Sequence, residues 1–273
     1  MTTRRRLDAE LVRRGLAPSR TQAQRDITSG RVLVGGALAV KPTRLVSGAE
    51  AIVLQGPGPR WVSRAGAKLD AALDRFGVDP GGLRVLDAGA STDGFSDCLL
   101  QRGAAEVVAV DVGYGQLHER VADDARTRVV DRTNVRDLEL TTVGEPVDLV
   151  TADLSFISLR LVLDALFGVL RPGGSLVALV KPQFEAGRQV VARGRGIVTD
   201  PDVWRSVLAE VTSACEQRGA TIMGVMASPI TGTDGNVEFL VHAQLAPELT
   251  PPDRSALVER AVAEAGPRSE SAP

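Results

Sequence analysis

Leu83-Arg-Val-Leu-Asp-Ala-Gly-Ala-Ser-Thr-Asp-Gly-Phe95 reads as a short apolar strand, a turn of small residues and the start of a helix. The strand covers Arg84 to Leu86 and ends at Asp87. Gly89 lets the chain turn sharply and lets a ligand approach the backbone. The spacing is not Gly-x-Gly-x-x-Gly, and no Gly-Lys-Ser/Thr follows, so neither a dinucleotide loop nor a triphosphate loop is indicated. The next strand, Glu106 to Val110, also ends in an acid, Asp111.

The same alternation continues on both sides. Helices are expected over Ala65 to Phe76, Asp93 to Arg102, 158–170, Asp202 to Arg218 and Asp253 to Ala265. Strands are expected at 128–130, 147–152 and 175–180, with a late antiparallel pair at Thr221 to Ala227 and Val237 to Ala243. Strand–helix alternation of this kind predicts an α/β fold with a doubly wound sheet. In such a sheet, ligands gather at the carboxyl ends of the strands. An acid before the glycine and a second acid ending the next strand suit S-adenosylmethionine, because a strand-ending carboxylate can accept hydrogen bonds from both ribose hydroxyls. Asp131, Asn134 and Asp137 follow the third strand, where an adenine would lie, although such clusters also serve as plain turn chemistry.

The first sixty residues differ in composition. They hold 11 Lys+Arg against 4 Asp+Glu, a net of +7, whereas the remainder holds 21 against 30, a net of −9. A basic segment on an acidic body suggests a polyanion-binding module. Helices are expected at Leu7 to Arg14 and Ser19 to Ser29, the second capped by Ser19 and stopped by Gly30. Val32 to Val34 and Ala37 to Val40 read as a hairpin about Gly35-Gly36, followed by a strand at Ala51 to Leu54. Gln55-Gly-Pro-Gly-Pro59 reads as a linker. The expected organisation is a small domain at 1–58, a linker at 59–63, a large domain at 64–265 and a disordered tail at 266–273. Cys98 and Cys215 are far apart and only His118 and His242 accompany them, which supports neither a metal site nor a disulfide framework. No apolar run approaches the ~18 residues of a membrane span, and the amino terminus is polar, so a cytoplasmic protein with no membrane partner is expected.

Two strongly apolar runs supply the chemistry. Val147-Asp-Leu-Val-Thr-Ala152 runs into Asp153, and Leu176-Val-Ala-Leu-Val180 runs into Lys181. If these are neighbouring parallel strands, an acid and an amine project into one crevice. A lysine that is partly desolvated or beside another cation gives up its proton more readily and can act as a base. Lys68, on the helix before the first strand, and Glu238, alternating with Val237 and Phe239, are further candidates. The pattern alone leaves open whether Glu238 simply faces solvent.

Lys68, Asp153, Lys181 and Glu238 match in order and context the Lys-Asp-Lys-Glu tetrad of the FtsJ-like RNA ribose 2′-O-methyltransferases. More closely, the chain resembles the TlyA family of bacterial rRNA cytidine-2′-O-methyltransferases, also known as haemolysins. The resemblance rests on Arg6 to Leu16, Ser19-Arg20, Val40-Lys-Pro42, Trp61-Val-Ser-Arg64, Asp87 to Thr92, Asp111-Val-Gly-Tyr-Gly-Gln116, Asp153 to Ser158, Val180 to Glu185 and Gly235-Asn-Val-Glu238. It implies a Rossmann-like class I methyltransferase domain with a seven-stranded sheet, preceded by a small α+β RNA-binding domain first known from a ribosomal protein. It further implies methylation of cytidine ribose in 16S and/or 23S rRNA, with Lys181 as base, Asp153 positioning it, and Lys68 and Glu238 orienting the ribose. The cofactor would be S-adenosylmethionine, held by Asp87, Gly89, Ala90, Ser91, Thr92, Asp93, Gly94, Phe95, Asp111, Val112 and Asn134. Ribosomal RNA would be held by Arg6, Arg20, Lys41 and Arg64, and no metal is implied. Pro59-Arg60-Trp61-Val62 resembles an element that couples the two domains in this family.

One departure stands out. The family loop runs Ala-Ser-Thr-Gly-Gly-Phe, and this chain has Asp93 in place of the first of those glycines. An Asp at a helix start can cap exposed N–H groups, which is the preferred reading, with cofactor affinity as the property it touches. Two other classes stay open at this stage: a membrane-active haemolysin and a non-catalytic rRNA-binding factor.

Overall fold

The computed structural model describes residues 4–17, 19–56, 60–91, 94–187, 191, 194, 196–246 and 250–266, and the chain divides between Arg60 and Trp61 into two compact units. Three expected features therefore fall partly or wholly outside the described residues: the Gly-Pro-Gly-Pro linker, the loop pair Thr92–Asp93 and the tail at 266–273.

The first unit contains β1 (Arg4–Arg6), α1 (Leu7–Arg13), α2 (Arg20–Thr28), β2 (Val32–Val34), β3 (Ala37–Leu38), β4 (Leu45–Ser47) and β5 (Ile52–Leu54). Ser19 caps α2 by accepting from the Gln22 amide at 3.2 Å, as its residue type suggests. The hairpin β2–β3 turns at Gly35 and Gly36, both with positive φ, and β5 adds to the other edge of β2. The antiparallel pair β1–β4 was not expected, since three consecutive arginines carry no strand periodicity. Leu7, Leu11, Ala23, Ile27, Val32, Val34 and Val46 form the small core.

The second unit is built on a seven-stranded sheet. Its elements are α3 (Ala65–Phe76), β6 (Arg84–Ala88), α4 (Gly94–Gln101), β7 (Glu106–Val110), α5 (Glu119–Ala122), β8 (Thr127–Val130), α6 (Leu140–Val143), β9 (Val147–Ala152), α7 (Leu163–Gly168), β10 (Leu170–Val180), α8 (Pro182–Glu185), α9 (Pro201–Glu216), β11 (Thr221–Ala227), β12 (Phe239–Gln244) and α10 (Arg254–Ala265). The strand order is β11-β12-β10-β9-β6-β7-β8, with β12 antiparallel to both its neighbours and the others parallel. The chain leaves β6 toward β7 and β8, then returns to β9 on the other side. That reversal is the switch point at which doubly wound sheets bind ligands.

Period-two alternation buries both faces. Val85, Val107, Leu149, Val177 and Leu240 pack with α3 and α4, while Leu86, Val108, Val150, Leu176, Val180 and Phe239 pack with α7, α9 and α10. Two expectations need correction. The helix over 158–170 is a 3₁₀ turn at Leu159–Leu161 followed by the short α7. The strand expected from 175 begins at Leu170, passing Pro172-Gly-Gly174 through an irregular register that no apolar periodicity announces.

Candidate active site

Three adjacent strands set the site at the carboxyl end of the parallel strands. Asp153 follows β9, Lys181 follows β10, and Glu238 precedes β12. Because β12 runs antiparallel to β10, with Val180 paired to Phe239, the start of β12 lies beside the end of β10. Lys68 comes from α3. Its Nζ donates to Glu238 Oε2 at 2.5 Å, and both residues are buried, at 6% and 3% exposure. Lys181 Nζ lies 2.6 Å from Asp153 Oδ1 and donates to Ser155 Oγ at 2.9 Å. The four candidate catalytic residues thus form two short acid–lysine pairs at one end of the sheet. Glu238, which the alternation left open to solvent, is buried and paired.

A cavity of about 370 Å³ opens at the switch point, lined by Gly89, Ser91, Asp111, Val112, Asn134, Asp153 and the Ser155–Ile157 segment, among others. That volume is in the range of small-molecule sites. Gly89 has φ +83°, and a Cβ there would meet Leu154 Cδ2 at 2.8 Å and the Asp153 carbonyl at 2.9 Å. Only glycine lets the loop after β6 pass this close to the loop after β9. Asp111 is fixed by accepting from the Ser91 amide at 2.9 Å and the Gly113 amide at 2.6 Å, one on each oxygen. Each oxygen keeps a second lone pair for a ligand. Asn134 caps a 3₁₀ turn through Oδ1, so it serves turn chemistry as well as lining the cavity.

Ser91 and Phe156 line this cavity and both hold left-handed φ, +48° and +62°, a conformation non-glycine residues seldom adopt. Phe156 is 91% exposed and meets Phe184 at a tilt, with ring centroids 5.2 Å apart. A wider cavity of about 810 Å³ shares Arg136, Phe156 and Ile157 with the first and adds Gln183 and Phe184.

The remaining expected cofactor contacts are distributed differently. Asp87 lies inside β6, fully buried, where it accepts from Ser96 Oγ at 2.7 Å and Thr151 Oγ1 at 3.0 Å. Burial pushes its carboxyl up to about 6, against the pull of those two hydroxyls. It supports the loop from beneath and does not line the cavity, because paired strands cover it on both sides. Ala90, Gly94 and Phe95 are likewise buried outside the cavity lining. Gly94 packs tightly on the start of α3, where an added Cβ would collide with Ser63 Oγ and meet the Gly66 amide nitrogen at 2.6 Å. Thr92 and Asp93 lie outside the described residues, and with them the capping role expected of Asp93.

Of the expected RNA contacts, Arg64 is exposed and one guanidinium nitrogen donates to the Thr231 carbonyl. Arg6, Arg20 and Lys41 are exposed on the first unit. Sequence reasoning missed Ser155, Phe156 and Arg136, although Ser155 and Phe156 sit within the segment quoted for Asp153. It also missed Glu185, whose buried carboxylate accepts from Ser158 Oγ and the Leu159 amide, both at 2.5 Å, tying the loop after β9 to α8. No helix among the described residues is long and apolar enough to cross a membrane, and no cluster of metal-ligating side chains is found among them.

Two family models match this chain: FtsJ-like methyltransferase over residues 61–245 and the S4 domain over residues 5–52. A Mycobacterium tuberculosis protein named 16S/23S rRNA (cytidine-2′-O)-methyltransferase TlyA is 51% identical over 243 residues, covering 88% of this chain and 90% of its own length. Hemolysin A of Brachyspira hyodysenteriae is 35% identical over 239 residues, covering 87% and 98%. A solved structure from Streptococcus thermophilus, named as a proposed hemolysin, superposes with a TM-score of 0.73 at 37% identity, covering 97% of this chain and 98% of its own.

Proposed function

The chain belongs to the FtsJ-like methyltransferase family, in its TlyA branch, and from that premise we propose that it moves a methyl group from S-adenosylmethionine to a cytidine 2′-hydroxyl of ribosomal RNA. The observation that carries this reading is the two acid–lysine contacts, Lys68–Glu238 buried and Lys181–Asp153 partly buried, with Asp153 lining the switch-point cavity.

The residues around the cavity suit the cofactor. Asp111 presents an oriented carboxylate with free lone pairs to two ribose hydroxyls. Val112, apolar and 74% exposed, offers a face to the adenine, with Asn134 alongside. Gly89 and Ser91 bring backbone to the methionine end. Bound there, S-adenosylmethionine supplies an electrophilic methyl group.

The protein's own residues do the rest. As the neutral amine, Lys181 takes the proton of the 2′-hydroxyl while its oxygen attacks the methyl carbon, and Asp153 favours the ammonium that results. Ser155 accepts from the same Nζ and holds it in place. Lys68 and Glu238 neutralise each other in a buried setting and orient the ribose from the other side. Alignment of oxygen and methyl in line supplies much of the acceleration. Phe156, exposed at the mouth of both cavities, offers a surface on which an unstacked base can rest. The S4 domain supplies affinity for the RNA backbone through Arg6, Arg20 and Lys41, with Arg64 on the catalytic unit.

The test is methylation of isolated small and large ribosomal subunits with labelled cofactor, followed by mass-spectrometric mapping. A 2′-O-methylcytidine gained in either rRNA supports the reading. Label on a base, or none on RNA from either subunit, contradicts it.

A further inference from the structure

The first unit carries a carboxylate that the proposed chemistry does not use. Asp8 lies in the first turn of α1 and is completely buried, at 0% exposure. Acids at a helix start normally remain in water, where they complement the helix dipole. Asp8 instead accepts from five donors. Arg6 holds both of its oxygens, through Nε at 3.1 Å and Nη2 at 2.8 Å. Arg20 Nη2 reaches Oδ2 at 3.1 Å, Gln24 Nε2 reaches the same oxygen at 2.9 Å, and the Ala9 amide reaches Oδ1 at 2.8 Å. These donors, Arg6 first, hold the carboxyl far below the usual carboxylate range.

The two arginines are not buried with it. Their side chains are 44% and 56% exposed. Arg6 turns its Nε–Nη2 edge to Asp8 and Arg20 turns one nitrogen, while much of each side chain faces solvent. Two residues fourteen positions apart, from β1 and α2, are thereby fixed side by side on one surface. A free arginine must give up rotamer freedom when it binds a phosphate, and a fixed one has already done so.

We propose that Asp8 is a positioning residue for RNA binding: it clamps Arg6 and Arg20 into one preorganised site for backbone phosphate. This rests on the reading that these arginines contact RNA. It makes a prediction opposite in sign to simple charge counting. Asp8→Asn removes a negative charge from an RNA-binding surface, and on charge alone it should tighten binding and steepen the salt dependence. On the clamp, it releases two side chains and weakens binding.

The test uses the full chain and isolated ribosomal subunits as the probe. Affinity is measured against salt for wild type, Asp8→Asn, Arg6→Ala/Arg20→Ala and the triple variant, with a thermal melt of each. The clamp predicts that Asp8→Asn lowers affinity about 5- to 10-fold and makes the log K against log salt slope shallower by about one phosphate contact. It also predicts that Asp8→Asn changes nothing further once both arginines are gone. Arg6→Lys, on the surface, keeps the charge but cannot make the two-point bond, and it weakens binding even if Asp8→Asn does not fold. Unchanged or tighter binding by Asp8→Asn, an equal loss in the double-alanine background, or wild-type affinity in Arg6→Lys overturns the proposal. Failure of the wild type itself to bind either subunit overturns instead the RNA reading on which it stands.

Discussion

Lys181 Nζ and Asp153 Oδ1 stand 2.6 Å apart at the ends of neighbouring parallel strands, with Ser155 Oγ accepting from the same nitrogen. The second pair, Lys68 and Glu238, is more deeply buried and joins residues 170 positions apart. Breaking a buried pair by removing one partner leaves an uncompensated charge and costs about 3–5 kcal/mol. Glu238→Ala should therefore lower stability by roughly that amount in denaturant melts. Lys68→Met/Glu238→Leu should cost less than Glu238→Ala alone. A single variant as stable as wild type would show that the pair contributes nothing to the fold.

Phe156 separates stability from activity. At 91% exposure its removal should change unfolding free energy by no more than about 0.5 kcal/mol. If a base rests on the ring, Phe156→Ala loses about 1–3 kcal/mol of stacking. Methylation per unit enzyme should fall roughly 5- to 150-fold while cofactor affinity stays the same. Wild-type turnover on ribosomal subunits would remove Phe156 from the RNA site.

Asp111 is the residue on which cofactor affinity should depend most. Hydrogen bonds to a charged group contribute about 1.5–3 kcal/mol. Calorimetric titration of Asp111→Ala with S-adenosylmethionine should therefore show at least a ~10-fold weaker Kd. Affinity within twofold of wild type would mean that the ribose hydroxyls lie elsewhere.

Two buried groups in the large unit oppose each other between about pH 4 and pH 6. Burial pushes the His242 imidazole down to about 4, so on acidification through 6.5 the unfolded chain takes up a proton before the native one, and stability is lost. Asp87, pushed up to about 6, holds in the native state a proton that the unfolded chain has released, so its contribution declines as pH rises from about 4 to 6. Relative to wild type, His242→Gln should become more stable on going from pH 6.5 to 4.5, and Asp87→Asn less stable. The effects should be of the order of 1–3 kcal/mol in denaturant melts. Variants parallel to wild type across that range would contradict both assignments.

The strand ends were the most legible part of the site. An apolar run that stops at one ionisable residue marks both a buried strand and its exit, which is why Asp111, Asp153 and Lys181 fall at the ends of β7, β9 and β10. Asp87 has the same local signature but lies one residue short of its strand's end, between two hydrogen-bonded neighbours. Glu238 and Asp8 were not legible as buried, because burial there depends on partners brought in from α3 and from α2. Short-range patterns carry no information about such partners. The Pro172-Gly-Gly174 stretch reads as a break, yet it is held within β10, with Gly173 donating to the Leu245 carbonyl at 2.8 Å and Gly174 accepting from the Leu245 amide at 2.9 Å.

The most direct measurement is Lys181→Ala, assayed for 2′-O-methyl transfer to ribosomal subunits and titrated with S-adenosylmethionine in parallel. Loss of a general base lowers turnover by about 10²- to 10⁴-fold. The expected result is methylation reduced by at least ~100-fold, with cofactor Kd within about threefold of wild type and an unchanged circular dichroism spectrum. Full methylation by a folded Lys181→Ala protein would contradict the assignment of Lys181 as the base.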